Sequence, residues 1–165
     1  MSISASQVKE LREISGVGMM ECKKALVETD GDLQKALDLL RANSSLKAEK
    51  KASRVAADGA VRIADNSAYT SLVEINSETD FAAKDSQFKD FVIEVANYLS
   101  NNQVNDINDL NAEFDGKRQS LIQSIGENIQ LRRLVTHEVP SNGCIGSYLH
   151  SDGRLAAVVS IDKDN

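Results

Sequence analysis

Residues able to carry covalent chemistry are sparse in this chain, and their spacing excludes most reactions. The two histidines, His137 and His150, have no cysteine or carboxylate at a metal-ligand spacing. GVGMM and GENI contain glycine, but no phosphate-binding GxxxxGK followed by Ser or Thr occurs, and the acidic stretches lack the calcium-loop pattern. Cys22 falls on the inner face of an expected helix, which argues against a reactive thiolate; Cys144 opens an expected strand with no charged neighbour to activate it. No catalytic constellation emerges and no cofactor or metal is expected, so an enzyme has little support in these residues. The stretch that invites a functional reading is TDFAAKD, Thr79 to Asp85. It follows an apolar strand, SLVEI, and a polar turn, NSE. It precedes a helix with Phe88, Phe91, Val92, Val95, Ala96 and Leu99 on one face. Asp85 suits the N-cap of that helix, because its carboxylate can accept the free amides of the first turn. Phe81 then stands in a short acid-flanked loop, where a large aromatic either anchors the core or reaches into a partner. Phe81 and Phe88 are in helical phase, so a helix begun near Asp80 would place Phe81 on the buried stripe.

A length of 165 residues suits one domain, or a domain plus a small module, and the apolar content of 41% is ordinary for a globular chain. No apolar run is long enough to cross a bilayer, and MSISASQVKE lacks the basic and apolar regions of a signal peptide. Two cysteines are too few for a disulfide framework, so a cytoplasmic protein with reduced thiols is expected. The net charge of −6 is uneven: residues 1–54 carry ten Lys/Arg against eight Asp/Glu, and residues 55–165 carry nine against seventeen. An acidic body repels phosphate, which argues against direct nucleic-acid binding. The basic stretch LKAEKKASR reads as a solvated linker or helix face.

The N-terminal third reads as three short helices. Ser6 caps the first, with Val8, Leu11 and Ile14 at helical spacing, and Gly16-Val17-Gly18 breaks it. The second runs from about Met19 to Glu28 with Met19, Cys22, Ala25 and Leu26 inward, and closes at Asp30-Gly31. Asp32 caps the third, with Leu33, Ala36, Leu37 and Leu40 on one stripe. Met20 lies off the inner face of the second helix and is either a surface methionine or a polarizable contact for another protein. A polar linker covers 43–54. Ala60 to Ile63 and Tyr69 to Ile75 read as a hairpin, then comes the helix from Asp85 to about Ser100. A loop over 101–109 and a short helical turn to Phe114 precede a helix from Lys117 to Ile125, with Leu121, Ile122 and Ile125 inward and Gly126 at its end. The remainder is extended: Ile129 to Val139, Cys144 to Leu149 and Leu155 to Ile161. The fold class is α+β, a three-helix module over 1–54 followed over 55–165 by a mainly antiparallel sheet with helices on one face. With no element after its last strand, the core is expected to be truncated at its C-terminal end.

Two long strings, KELREISGVGMMECKKAL (Lys9 to Leu26) and TDFAAKD, closely resemble the hallmark motifs of bacterial elongation factor Ts. AADG (Ala56 to Gly59), IGENI (Ile125 to Ile129) and GSYLH (Gly146 to His150) resemble further family stretches in the same order. The resemblance implies a ubiquitin-associated-like N-terminal module, a core domain from about residue 55, and a function as guanine-nucleotide exchange factor of the GTPase elongation factor Tu. By motif, it implies that Asp80 and Phe81 enter the GTPase near its magnesium and phosphate site. It implies that Met19 and Met20, with Arg12 nearby, face the GTPase domain, and that Ile125 and His150 belong to the interface. The family usually has glutamine where Leu149 stands before His150. Two other readings share these residues: an adaptor whose three-helix module is the active part, and a cysteine- or histidine-dependent hydrolase.

Overall fold

A computed structural model describes residues 3–163. The chain divides into two compact units, one of residues up to Val55 with Gly116–Asn128, the other of Ala56–Asp115 with the remainder from Ile129.

The first unit holds three helices, α1 (Ala5–Ser15), α2 (Met19–Glu28) and α3 (Leu33–Lys51). Ser4, not Ser6, caps α1. Its hydroxyl accepts the Gln7 N–H at 3.2 Å, and the Gln7 side chain accepts the Ser4 N–H at 3.0 Å. That reciprocal pair needs a glutamine three residues on, which Ser4 has and Ser6 lacks. Gly16 closes α1 in the left-handed region, its N–H on the Arg12 carbonyl at 2.9 Å. The core joins Val8 and Leu11 to Val17, Cys22, Ala25, Leu26, Ala36 and Leu40. Val17, from the turn, takes the buried place that periodicity offers to Met19, which is 46% exposed. Ile14 is also exposed, in the last turn of α1.

Residues 43–51 are helix rather than linker. The stretch contains no glycine or proline, and Ala36, Leu40, Ser44 and Ala48 form one buried stripe at four-residue spacing. Ser44 satisfies its hydroxyl on the Leu40 carbonyl at 2.8 Å and on Gln123. Polar residues thus continue the helix because the buried positions among them are small.

The second unit contains β1 (Asp58–Asp65), β2 (Tyr69–Ser77), α4 (Asp80–Lys84), α5 (Ser86–Asn101) and β3 (Gln130–Glu138), then β4 (Gly143–Leu149) and β5 (Ala156–Asp162). The architecture is α+β. The strands form two antiparallel sheets rather than one: β1-β2-β3 and β4-β5. Ile63 pairs with Leu72 and Val73 with Leu134, and the register shifts between Glu74 and Ile75. Gly59 is required where β1 meets β2, because a Cβ there would lie 2.1 Å from the Ile75 carbonyl oxygen. α5 packs on β1 and β2 and buries Phe88, Phe91, Val92, Val95 and Leu99. The Tyr69 hydroxyl donates to the Leu99 carbonyl at 2.9 Å, tying the start of β2 to the end of α5.

One helix, α6 (Ile107–Ile125), replaces the expected loop, turn and shorter helix. It belongs to the second unit up to Asp115 and to the first from Gly116. Leu110 and Phe114 are buried, and Phe114 meets Phe91 and Tyr98 edge-on at centroid distances of 5.8 and 5.4 Å. The Asn- and Asp-rich start reads as loop in sequence, yet these apolar anchors hold it as helix, and the helix continues through Gly116.

Candidate partner-binding surface

The segment after β2 is built to hold a short helix tightly while leaving one side chain free. Ser77 is fully buried and donates its hydroxyl to the Thr79 carbonyl at 3.0 Å. Thr79 caps α4 by accepting the Ala82 N–H on its side-chain oxygen at 3.3 Å. Asp85 then accepts the Gln87 N–H at 2.8 Å and caps α5. Asp85 itself is extended, with φ −61° and ψ 141°. That residue resets the helical phase, so the seven-residue spacing from Phe81 to Phe88 does not place both on one face. α4 buries Ala82 and packs on β1 and β2, while Phe81 stands 81% exposed. A large aromatic so exposed on an ordered, doubly capped helix contributes little to the core.

Asp80, beside it, accepts a 2.6 Å hydrogen bond from Lys84 one turn on. That hydrogen bond, with the lysine charge, holds the Asp80 carboxyl below its ordinary range despite some opposing desolvation. Asp80 therefore stays ionised at neutral pH. Asp80, Ala83 and Lys84 also form one wall of a cavity of about 460 Å³, completed by residues of β1, α5 and the turn after β4.

His150 lies at the end of β4, exposed, its Nδ1 within 2.8 Å of the Tyr148 hydroxyl. Its backbone N–H donates to the Leu155 carbonyl at 2.8 Å, closing the turn that carries Asp152 and Arg154. His150 is thus not beside Asp80 on one element, but its turn lines the same cavity. Arg12, Met19, Met20 and Ile125 belong to the other unit. There Met19 and Met20 open α2, 46% and 69% exposed, Arg12 is exposed on α1, and Ile125 is half-buried at the end of α6. Leu121 and Ile122 are buried, so Ile125 is less committed to the core than the expected stripe implies. Ile14 and Val27 are further exposed apolar residues of this unit that periodicity assigned to the core or passed over. Lys84 is a further residue of this surface, and its position four residues after Asp80 is a helical ion-pair spacing legible in the sequence.

Among the described residues, no group of three or more His, Cys, Asp or Glu is placed to hold a metal ion. Cys22 is buried, with its thiol against the Val17 carbonyl at 3.4 Å, and Cys144 is exposed. No helix among the described residues is long and apolar enough to cross a membrane.

The family model described as "Elongation factor TS" matches residues 78–165, from the residue before Thr79 onward. The chain belongs to the elongation factor Ts family. Elongation factor Ts of Saccharophagus degradans is 51% identical over 164 residues, covering 98% of this chain and 56% of that protein. Elongation factor Ts of Hahella chejuensis is 47% identical over 167 residues, covering 99% and 57%. That of Campylobacter fetus is 42% identical over 173 residues, covering 100% and 49%. The chain spans about half the length of the curated elongation factor Ts relatives it matches. The family match takes in α4 to β5, and the relatives extend the likeness over the three-helix unit.

Proposed function

We propose that this chain acts in translation elongation as a guanine-nucleotide exchange factor, promoting GDP release from the magnesium- and GDP-bound form of elongation factor Tu in the cytoplasm. The observation that carries the reading is Phe81, 81% exposed on a capped helix in a member of this family. Phe81 enters the GTPase near its magnesium and phosphate site, with the ionised Asp80 beside it. Met19, Met20 and Arg12 of the N-terminal unit contact the GTPase domain, and Ile125 and His150 add further contacts. No covalent step and no catalytic residue is needed. Exchange follows if the factor binds the nucleotide-free or strained GTPase more tightly than the nucleotide-bound one. An aromatic wedge that shifts the elements positioning magnesium and the phosphate loop supplies that difference. The linkage is reciprocal, so bound nucleotide expels the factor by the same free energy. Direct nucleic-acid binding has no part in this scheme, in keeping with the acidic body.

The test is release of a fluorescent GDP from elongation factor Tu, with and without this chain. Accelerated release is expected. Binding without acceleration would make the chain an adaptor, the reading that the exposed Ile14, Met19, Met20 and Val27 of the three-helix unit would then carry. Neither binding nor release would overturn the proposal.

A further inference from the structure

We propose that the cavity beside α4 is a socket for an acidic side chain of the partner protein, a glutamate or aspartate whose carboxylate is held by Arg62 and Lys89. The inference rests on α4 facing the partner, as proposed above. Four cations line the cavity, Arg62, Lys84, Lys89 and Arg154, against two carboxylates, Asp80 and Asp152. Lys84 is engaged with Asp80, and Arg154 is paired with Asp58. Asp152 is turned to the backbone, accepting the Arg154 N–H at 2.9 Å. Arg62 gives one N–H to the Val61 carbonyl at 2.8 Å, and neither it nor Lys89 has an ion pair among the described residues. Two uncompensated cations thus share one concavity of a chain whose net charge is −6.

The site has the shape of a side-chain recess as well as its charge. Ala60, Ala83 and Val92 give the cavity apolar lining, which suits the methylenes of a carboxylate side chain better than a bare inorganic anion. The turn after β4 fixes the guanidinium. The Val61 N–H donates to the Gly153 carbonyl at 2.7 Å, and a Cβ on Gly153 would stand 2.5 Å from Arg62 Nη1. Phe81 rises from the same five-residue helix that supplies Asp80, Ala83 and Lys84 to the wall. Phe81 is the neighbour of Asp80 in the chain, so a surface that receives Phe81 comes close to this wall of the cavity. An acidic residue seated there would fix the register of the wedge, the role charge complementarity commonly has in interfaces.

Lys89 is exposed, so reversing its charge leaves the core untouched. Binding of elongation factor Tu by Lys89→Glu is compared by calorimetry at low salt with that of Lys163→Glu, which has the same net charge but lies outside the cavity. The expected result is a loss of about tenfold or more for Lys89→Glu, with unchanged melting temperature, and a loss under about twofold for Lys163→Glu. Equal losses would mean a long-range field and overturn the socket. Phe81→Ala, run in parallel, separates the two readings. If it weakens binding while Lys89→Glu does not, the socket fails and the exchange-factor reading stands; if the unaltered chain does not bind, both fail. For the chain alone, a hexaglutamate peptide should shift the amide resonances of Arg62 and Lys89. Equal shifts with inorganic phosphate would make this a general anion site and also overturn the assignment.

Discussion

Phe81→Ala sets two properties of one side chain against each other. A core phenylalanine truncated to alanine loses about 3–5 kcal/mol of stability. Phe81 is 81% exposed, so its truncation is expected to leave the melting temperature nearly unchanged while strongly slowing the GDP release proposed above. A variant that melts many degrees lower, yet exchanges nucleotide normally once folded, would sink the wedge. The residue also marks a limit of sequence periodicity. Its spacing from Phe88 is that of two core positions, and only the extended backbone of Asp85 between them breaks the phase. Asp85 is legible as an N-cap, but that it also ends a separate helix is set by Thr79 and the buried Ser77 upstream. Met19 fails for a similar reason. Its phase with Cys22 is correct, but Val17 from the turn fills the core there. Glu74 adds a pH dependence at this scale. Partial burial pushes its carboxyl up, but the hydrogen bonds and charges of Arg133 and Arg132 outweigh burial and leave it below the ordinary 4.5. Its folded value is depressed, so its contribution is present above the unfolded value and is lost as pH falls through the folded one. Glu74→Gln should lower stability at neutral pH and flatten the acid limb of the stability profile below about pH 5. An unchanged acid limb in urea titrations at several pH values would count against this coupling.

At the level of elements, the short amphipathic segments were legible and the long ones were not. α2 and α5 have strong apolar stripes, α5 is capped by Asp85, α2 is followed by the left-handed Asp30 and Gly31, and the hairpin of β1 and β2 has its turn residues at Asp65 to Ser67. α3 outran the expected boundary because its buried stripe passes from Leu40 to Ser44 and Ala48, residues that carry no hydrophobic signal. α6 reads in sequence as a loop, a turn and a shorter helix because Asn and Asp crowd its start, and Gly116 stands in its middle. Nothing lies within 4 Å of a Cβ built there, and its φ is not in the positive region, so neither packing nor backbone conformation requires glycine. Gly116→Ala is therefore expected to stabilise the protein by about 0.5–1 kcal/mol, from the lower entropy cost of fixing alanine in a helix. Chemical denaturation that finds the variant less stable would show that the glycine serves a contact or conformation other than that of a helix interior.

For the whole molecule, the division into two sheets has a consequence for solution behaviour. The last two strands are legible around their Ser151-Asp152-Gly153 turn, but not which sheet they join, because pairing is decided by partners distant in sequence. β4 and β5 pair only with each other among the described residues. Their register places Cys144, Gly146, Tyr148, Ala157, Val159 and Ile161 on one face, and all six are exposed. Such a face, with an outer strand edge on each side, favours association with another copy. The net charge of −6 acts the other way, since like-charged copies repel. The two effects respond oppositely to salt. Raising ionic strength from about 0.01 to 0.15 M shortens the screening length from about 30 to 8 Å, which weakens repulsion and leaves apolar burial intact. Self-association of this chain should therefore rise with both concentration and salt in sedimentation velocity, and Val159→Lys with Ile161→Lys should abolish it. A strict monomer at high concentration and salt would remove the basis for this expectation. Association that weakens with salt would show that copies meet through charged groups and not through the β4-β5 face.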